Sequence, residues 1–550
     1  MWCFMSNNSF RMFENPFAKK FLHTLNSAYK PPSRKALSGS LLDSAYASTK
    51  ARVDALIAVL SHINIVTDES SNIASSRICN ISVHSAFNFF HYISENIQAK
   101  QMTAFTATQW LRNHFSILSN GDFSRINSIT TDICILMFVM WQELQHFVEF
   151  KHCLFISCDS HGIQLLIKNL LQLSVFKETC EKAQIIVKAF RCALLQYARL
   201  REFQRHYNKA AQSLILSIIT RWGTQLRLIQ SVLNNKDALR RYAHEFEALS
   251  LTKRIKQELI DIIRDDTFWF AFEFLRELLQ SLNEALRMSE DSNSHLGHVL
   301  PRWMTMTEHL SIKASYYSAH LKDFMFVDND GFALRYKRQI MSLHIAAYYL
   351  VSDKRTTSIS ENFNSQLQDF FHQYTACDAD YETLSYEFEA FRAQESPFES
   401  ERRCWTLVNK PKLFWHAAMS HSTLLEKLAY RIFSTFCNSV VSEWAFSTQN
   451  LIHTKSRNHL KSETTNKLAY IYTNARILDQ FDELSQFPES MKAKSVYNLT
   501  SEEEIMMKNV LLSIKVDDDG TIMNIVDAEN ESDAGGVDEE DEDEDDYNFA

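Results

Sequence analysis

Two aspartates in this chain each follow a segment with the composition of a buried strand. Asp68 comes directly after His62–Thr67, and Asp132 comes directly after Ile126–Thr131. Acids at strand ends of an α/β sheet meet at its carboxyl edge, where binding sites are built. Paired carboxylates there can bind Mg²⁺ or Mn²⁺, and two such ions can clamp the oxygens of a phosphodiester displacement. The alternative for each aspartate is an ordinary turn or helix N-cap.

A second motif is the CxxH sequence from Cys158 to His161, directly before a helix predicted over Gly162–Leu173. It has the ligand types of half a zinc site, but no further Cys/His pair follows at zinc-finger spacing, so no zinc finger is found. The alternative is a buried thiol and a hydrogen-bonded histidine that shape the turn between strand and helix.

Two further groups of residues point to partners. Arg221 and Trp222 are adjacent, and such a pair can hold a phosphate and stack on a base; the alternative is an ordinary core tryptophan. Near the C-terminus, a helix predicted over Thr465–Phe481 carries one apolar stripe, which faces either a partner or the chain's own core. The stripe consists of Leu468, Tyr472, Ala475 and Leu478.

The elements that must position these residues follow from hydrophobic periodicity. From His62 onward the pattern predicts three strands, a helix, a strand, a helix, a strand and a helix, which is an α/β layer. Almost everything from Val175 to Leu321 is helical in pattern. The five strands are predicted at His62–Thr67, Arg77–His84, Phe87–Ile93, Ile126–Thr131 and Cys153–Ser157.

Composition narrows the possible functions. Only 9 of 550 residues are glycine, and none is arranged as a dinucleotide or P-loop fingerprint, so no nucleotide cofactor is expected. The net charge of −10 comes from the tail, since 13 of the 67 acids lie in Asp527–Ala550, which leaves 54 acids against 57 bases. The chain is predicted to be disordered from about residue 517. The acidic tail within this part either keeps the chain soluble or competes with DNA for a basic groove.

Localisation is inferred from the cysteines and from the apolar runs. The ten cysteines are scattered without a CxxC, as in reduced intracellular proteins. No signal peptide is expected from the first residues. The longest apolar run, Ile133–Trp141, is about half the length of a membrane span, so no membrane partner is expected.

Several blocks occur in a fixed order along the chain. They are Glu14–Lys35, CDSHGIQLL at Cys158–Leu166, IITRWGTQLRLIQSVLNNKDALRR at Ile218–Arg241, DDTFWFAFEFL at Asp265–Leu275, HLGHVLPRW at His295–Trp303, LLEKLAYRIFS at Leu424–Ser434, VSEWAFSTQNLIHTKSRNHL at Val441–Leu460 and TTNKLAYIYTNARIL at Thr464–Leu478. Together these blocks resemble the hAT-type (hobo/Ac/Tam) transposases. The N-terminal half is similar to the transposase-derived domain of unknown function 659, and the block at Val441–Leu460 is similar to the hAT C-terminal dimerisation region.

The resemblance implies an RNase H-like α/β core interrupted by a large all-α insertion. Glu443 would be the third acid of a DDE set with Asp68 and Asp132, binding Mg²⁺ or Mn²⁺ for DNA cleavage and strand transfer in the nucleus. Cys158 and His161 would support this site, and a homodimer would form through the C-terminal region. The predicted domains are a helical lead-in at 1–60, core at 61–175, helical insertion and linker at 176–409, dimerisation region at 410–482 and tail at 483–550.

The chain departs from the family's usual wording beside each acid. Glu69 follows Asp68 where Gly-Trp is usual, Ile133 follows Asp132 where Asn is usual, and Trp444 follows Glu443 where Arg is common. The family's N-terminal BED-type zinc finger is not expected, because the transposase-like blocks begin at once. Two functions therefore stay open: a live transposase, or a domesticated or relic copy that dimerises and binds DNA or chromatin without catalysis.

Overall fold

The computed structural model describes most of the chain up to Gln486 and two short strands beyond it. The described residues are 1–71, 76–84, 89–97, 103–208, 212–216, 224–245, 256–291, 293–316, 319–326, 331–419, 423–454, 457, 460–486, 515–516 and 522–523. The chain divides into two units, residues 1–479 and 480–550.

Four helices open the first unit. Asn15 begins the second of them because its side chain accepts a hydrogen bond from the Phe17 N–H and Pro16 occupies the first helical position, both favourable at a helix N-terminus. The helices are α1 (Trp2–Met5), α2 (Pro16–Leu25), α3 (Arg34–Ser38) and α4 (Ser40–Ala58).

A mixed five-stranded sheet follows. Its strands are β1 (Ile63–Ser71), β2 (Arg77–His84), β3 (Phe89–Asn96), β4 (Ile126–Thr131) and β5 (Leu154–Ser157). Their order in the sheet is β3-β2-β1-β4-β5. β2 pairs antiparallel with both β1 and β3, whereas β4 pairs parallel with both β1 and β5. The parallel connections use α5 (Ala104–Leu118) and α6 (Ile135–Gln145), which pack against each other.

A large helical region comes next and holds most of the apolar core. Its helices are α7 (Asp159–Gln172), α8 (Ser174–Cys192), α9 (Leu194–Asn208), α10 (Thr224–Leu233), α11 (Lys236–Glu245), α12 (Gln257–Arg264), α13 (Asp266–Glu290), α14 (Val299–Tyr316), α15 (Ala319–Phe326), α16 (Phe332–Gln339), α17 (Ser342–Tyr349), α18 (Glu361–Tyr374) and α19 (Asp378–Ala393). α13 packs against α7, α8, α10 and α14, so this long helix forms the axis of the region.

The first unit ends with α20 (Pro411–Ala418), α21 (Leu424–Phe433), α22 (Val440–Ile452) and α23, which begins at Ser462. Thr423 and Glu426 form a reciprocal capping box at the start of α21. α23 runs to Gln486. In the second unit, β6 (Lys515–Val516) pairs antiparallel with β7 (Ile522–Met523).

The predicted fold class, a predominantly helical α/β protein, is confirmed, and so is the existence of all five strands. Several boundaries were wrong, and β3 ends at Asn96 where the pattern predicted Ile93. β1 continues past Asp68 to Ser71 because β2 pairs with it up to the Ser71–Arg77 position. α7 begins at Asp159, because Cys158 already occupies its N-cap position. The predicted disordered tail lies outside the described residues except for β7. Among the described helices, none is long and apolar enough to cross a membrane.

Candidate active site

Asp68 lies on β1, two residues beyond the point where the parallel ladder with β4 stops. The last parallel pair is Val66 with Thr130, while Asp68 itself stands opposite Asn80 of β2. Asp68 is thus at the carboxyl edge of the parallel half of the sheet, although it is inside its own strand. Its Oδ1 accepts a hydrogen bond of 2.7 Å from the Glu69 N–H.

Asp132 directly follows β4, at the same edge. Its Oδ1 atom is buried, and among the described residues it finds no hydrogen-bond partner. A buried carboxylate oxygen without a partner is costly, and bound cations or ordered water are the usual compensation. Asp132 therefore has one oxygen that water or a cation can contact.

Glu443 is the fourth residue of α22, which packs against β1 and β2. The Asn80 side-chain amide donates to the backbone carbonyl of Ser442 at 3.3 Å. This contact fixes the first turn of α22 over the strand that pairs with Asp68. Glu443 is delivered to the sheet edge by a helix, 311 residues after Asp132 (443 − 132).

Asp68 lies within electrostatic range of both Asp132 and Glu443. Burial, together with the negative charges of Asp132 and Glu443, raises the pKa of Asp68 from 3.8 to about 8, against the lowering effect of its hydrogen bond from Glu69. Burial also raises the pKa of Glu443. At neutral pH the site therefore holds a proton, unless a cation neutralises the cluster.

Glu290, the last residue of α13, is an acid that sequence reasoning missed. Burial raises its pKa, and the charge of Glu443 raises it further, so a carboxyl group from the helical region lies beside the third acid. Only the end of a helical pattern marks this residue in the sequence, and nothing there links it to Glu443.

Cys158 supports α22 from the other side of the site. Its Sγ accepts hydrogen bonds from the Ser439 N–H at 3.2 Å and from the Ser439 hydroxyl at 3.1 Å. It also accepts one from the His161 N–H at 3.4 Å. Ser439 is the residue just before α22, so Cys158 holds the start of the helix that carries Glu443.

His161 lies in the first turn of α7 and within electrostatic range of Asp132. Burial lowers the pKa of His161 despite the raising effect of the Asp132 charge, and Arg335 and Lys168 lower it further. A neutral imidazole therefore stands beside the second acid. Cys158 thus contacts the residue before α22, and His161 lies within electrostatic range of Asp132; their role as support for the acids stays a prediction.

Asp159, between these two residues, forms a buried ion pair with Arg302 of α14. It also accepts a hydrogen bond of 2.7 Å from the Trp303 indole N–H, and its own N–H donates to the Cys437 carbonyl at 2.8 Å. Asp159 thus joins α7 to α14 and to the segment before α22. Apart from the presence of an acid in the CxxH motif, no sequence pattern indicates this pairing.

The segment from Arg431 to Phe436 is held against two strands by side chains that donate hydrogen bonds to its backbone. Asn64 donates to the Ser434 carbonyl at 3.0 Å, Asn127 to the Arg431 carbonyl at 3.1 Å and Thr130 to the Phe436 carbonyl at 3.3 Å. These buried polar side chains of β1 and β4 fix the late segment in register with the early sheet.

The acids at this sheet edge meet some of the requirements of a divalent-cation site. Among the described residues, no three His, Cys, Asp or Glu side chains are arranged to hold one ion. The unpartnered oxygen of Asp132 and the suppressed ionisation of Asp68 are nevertheless two features that a bound divalent cation relieves. The residues fit a cation held by these two carboxyl groups.

The other predicted residues are elsewhere. Arg221 and Trp222 lie outside the described residues. In the predicted dimerisation stripe, Leu468, Ala475 and Leu478 are buried, and Tyr472 is partly buried. The structure shows what covers most of this stripe within one copy: the N-terminal residues Cys3, Phe4, Phe13, Leu37 and Leu42 form one cluster with α22 and α23.

Comparison with known families matches residues 398–475 to the hAT family C-terminal dimerisation region. No curated protein matches the chain. The matched residues include α22, which carries Glu443, and the first half of α23. This match to the family's dimerisation region supports a hAT-type, transposase-like protein, and it supports homo-oligomerisation. The likeness of the N-terminal half to the domain of unknown function 659 stays a prediction.

Proposed function

We propose that this protein is a hAT-type transposase in which Asp68, Asp132 and Glu443 form a DDE site for cation-dependent cleavage and joining of DNA. The observation that carries the proposal is the shared electrostatic environment of the three acids, seen in the raised pKa of Asp68. The sheet order β3-β2-β1-β4-β5, with its antiparallel and parallel halves, supports an RNase H-like core.

The metal in this proposal is Mg²⁺ or Mn²⁺, which would polarise a phosphate and lower the pKa of a bound water. Asp68 and Asp132 are its proposed ligands, and Glu443 is the third acid beside them. His161 would keep Asp132 oriented with a neutral ring, because its pKa is lowered by burial. Cys158 would keep Glu443 in place through Ser439. The proposed location is the nucleus, where the DNA substrate is.

The second candidate is a domesticated or relic protein that dimerises and binds DNA or chromatin without cutting it. The neighbours of the acids favour it. Glu69 is engaged in an ion pair with Arg77 at 2.6 Å, and Trp444 exposes about half of its surface beside Glu443. The absence of a three-residue metal set among the described residues also favours this candidate.

The deciding experiment is Mn²⁺-dependent nicking of supercoiled DNA by the wild-type protein and by Asp132→Ala. Asp54→Ala is a matched control, because Asp54 is an exposed acid paired with Lys50 on α4. The transposase proposal expects nicking by the wild type and the control and its loss in Asp132→Ala. Equal nicking by all three proteins would place the activity elsewhere or in a contaminant. DNA binding without nicking by any of them would favour the second candidate.

A further inference from the structure

A cation bound by Asp68 and Asp132 needs oxygen ligands beyond these two carboxyl groups. Mg²⁺ and Mn²⁺ prefer octahedral coordination by oxygen, and amide oxygens suit them as carboxylates do. Among the described residues, no three His, Cys, Asp or Glu side chains can hold one ion. A set of that kind does not include asparagine, whose side chain offers a neutral oxygen ligand.

Asn80 of β2 lies directly beside Asp68. The two residues are opposite each other in the antiparallel pairing of β1 and β2. Side chains of directly opposite residues lie on the same face of a sheet, with Cβ atoms about 4.5–5.5 Å apart. Asn80 is 0% exposed. Its amide is therefore a buried polar group next to the carboxyl group of Asp68.

The amide of Asn80 has one satisfied end and one unsatisfied end. Its Nδ2 donates to the Ser442 carbonyl at 3.3 Å, and because a carbonyl oxygen only accepts, this contact fixes which end carries the nitrogen. The other end, Oδ1, is buried and has no hydrogen-bond partner among the described residues. The Asp68 carboxylate also only accepts, so a cation, a proton or a water must lie between two such neighbours.

Two other buried asparagines of the sheet show that this arrangement is particular to Asn80. Asn64 and Asn127 also donate to backbone carbonyls of the segment before α22. The Oδ1 of Asn64 accepts from the Asn127 amide and the Ser128 hydroxyl, each at 2.8 Å. The Oδ1 of Asn127 accepts from the Arg431 guanidinium at 2.8 Å. Both oxygens are satisfied within the protein, whereas the oxygen of Asn80 is not.

We infer that Asn80 is a further residue of the cation site, where its Oδ1 contacts the ion held by Asp68 and Asp132 or a water bound to that ion. Its Nδ2 at the same time holds the first turn of α22, the helix that carries Glu443. One side chain thus joins the bound ion to the helix of the third acid. This inference rests on the cation site of the proposed function and adds a neutral oxygen ligand to it.

The test is Mn²⁺ binding by the full chain at pH 8, measured from the electron paramagnetic resonance signal of the free ion. The acidic tail can also bind Mn²⁺, so binding at the site is the part that Asp132→Ala abolishes. Asn80→Ala removes the oxygen, and the dissociation constant of the site should rise at least roughly tenfold. Asn80→Asp replaces a neutral oxygen by a charged one and should bind Mn²⁺ more tightly than the wild type.

Asn80→Asp separates the two roles of this side chain. Like Asn80→Ala, it loses the hydrogen bond to the Ser442 carbonyl, so a role limited to holding α22 would weaken Mn²⁺ binding in both variants. Asn64→Asp is the matched control, because it adds the same buried charge four residues before Asp68, about 13 Å away along β1. Its Mn²⁺ affinity should equal that of the wild type, and circular dichroism checks that each variant is folded.

Two results would overturn the inference while leaving the cation site in place. One is an unchanged Mn²⁺ affinity in Asn80→Ala, and the other is an affinity in Asn80→Asp that does not exceed the wild-type value. The second result decides the question even if Asn80→Ala does not fold. Mn²⁺ binding that Asp132→Ala leaves intact would instead overturn the cation site of the proposed function, and this inference with it.

Discussion

The Cys158 sulfur accepts hydrogen bonds from both the N–H and the hydroxyl of Ser439, at 3.2 and 3.1 Å, across 281 residues of sequence. Burial raises the pKa of the Cys158 thiol to about 12, so the group stays a neutral thiol at physiological pH. The contact joins the N-termini of α7 and α22, the helices that carry His161 and Glu443. The CxxH cysteine therefore acts as a structural clamp on the third acid.

Replacing Cys158 should test this clamp. Cys158→Ala leaves two buried donors of Ser439 without an acceptor, and we expect a loss of about 1–3 kcal/mol in the free energy of unfolding. Urea denaturation measures it. Cys192→Ala and Cys377→Ala are the controls, because both side chains are exposed, and they should change stability by less than about 0.5 kcal/mol. Equal stability of all three variants would contradict the clamp.

The pKa of Asp68 predicts how stability depends on pH. The unfolded state loses the Asp68 proton near its ordinary pKa of 3.8, whereas the folded state keeps it up to about 8. Because the folded state binds more protons in this window, its stability falls as pH rises from about 4 to about 8. One pKa unit corresponds to about 1.4 kcal/mol.

Asp68→Asn should remove this loss of stability at high pH, because asparagine does not ionise. In EDTA, the variant should melt above the wild type at pH 8, and the difference should shrink as pH falls toward 4. Differential scanning calorimetry over this range gives the answer. A difference that is constant with pH would show that Asp68 titrates normally in the folded protein.

Divalent cations should offset the loss of stability that ionised Asp68 causes at high pH. A cation that binds the charged carboxyl groups stabilises the folded state by mass action, by about 2.7 kcal/mol at one hundred times its dissociation constant. Mn²⁺ should therefore raise the melting temperature of the wild type at pH 8, and less so for Asp132→Ala. Asp54→Ala should respond like the wild type. An identical shift in Asp132→Ala would mean that the ion binds elsewhere.

The ion pair between Asp159 and Arg302 should be much more important for stability than an exposed pair. Both side chains are buried, so Arg302→Ala strands a charge in the interior and should cost about 3–5 kcal/mol. The pair of Glu284 and Arg287, at 2.7 Å on the exposed face of α13, is the control, and Arg287→Ala should cost less than about 1 kcal/mol. Similar losses in the free energy of unfolding would show that burial does not increase the contribution of the Asp159–Arg302 pair to stability.

Sequence periodicity predicted the sheet well because its strands are short, apolar and bounded by polar turns. It placed β2 and β4 at their observed limits. It ended β1 early, since the composition changes at Asp68 while the antiparallel pairing with β2 continues to Ser71. A change of polarity marks the residue at which burial ends, but hydrogen bonding between strands can continue beyond that residue.

The candidate site was only partly predictable. Asp68 and Asp132 follow apolar strands and can be found locally, whereas Glu443 came from the family resemblance alone. Glu290 and Arg302 gave no signal, because their partners lie 153 and 143 residues away (443 − 290 and 302 − 159). Periodicity likewise showed that Leu468 faces an apolar surface, but not whether that surface belongs to a partner or to the N-terminal segment of the same chain.

The ties between β1 or β4 and the segment at 431–436 also have a consequence for the order of folding. The carbonyl groups that accept hydrogen bonds from Asn64, Asn127 and Thr130 lie 304 to 370 residues later in the chain. These donors therefore lack those acceptors until the later segment has been synthesised. During synthesis at about 5–20 residues per second, that interval lasts on the order of 15–75 s. The hydrogen bonding of these two central strands is therefore completed only late in synthesis, after residues 431–436 have been added.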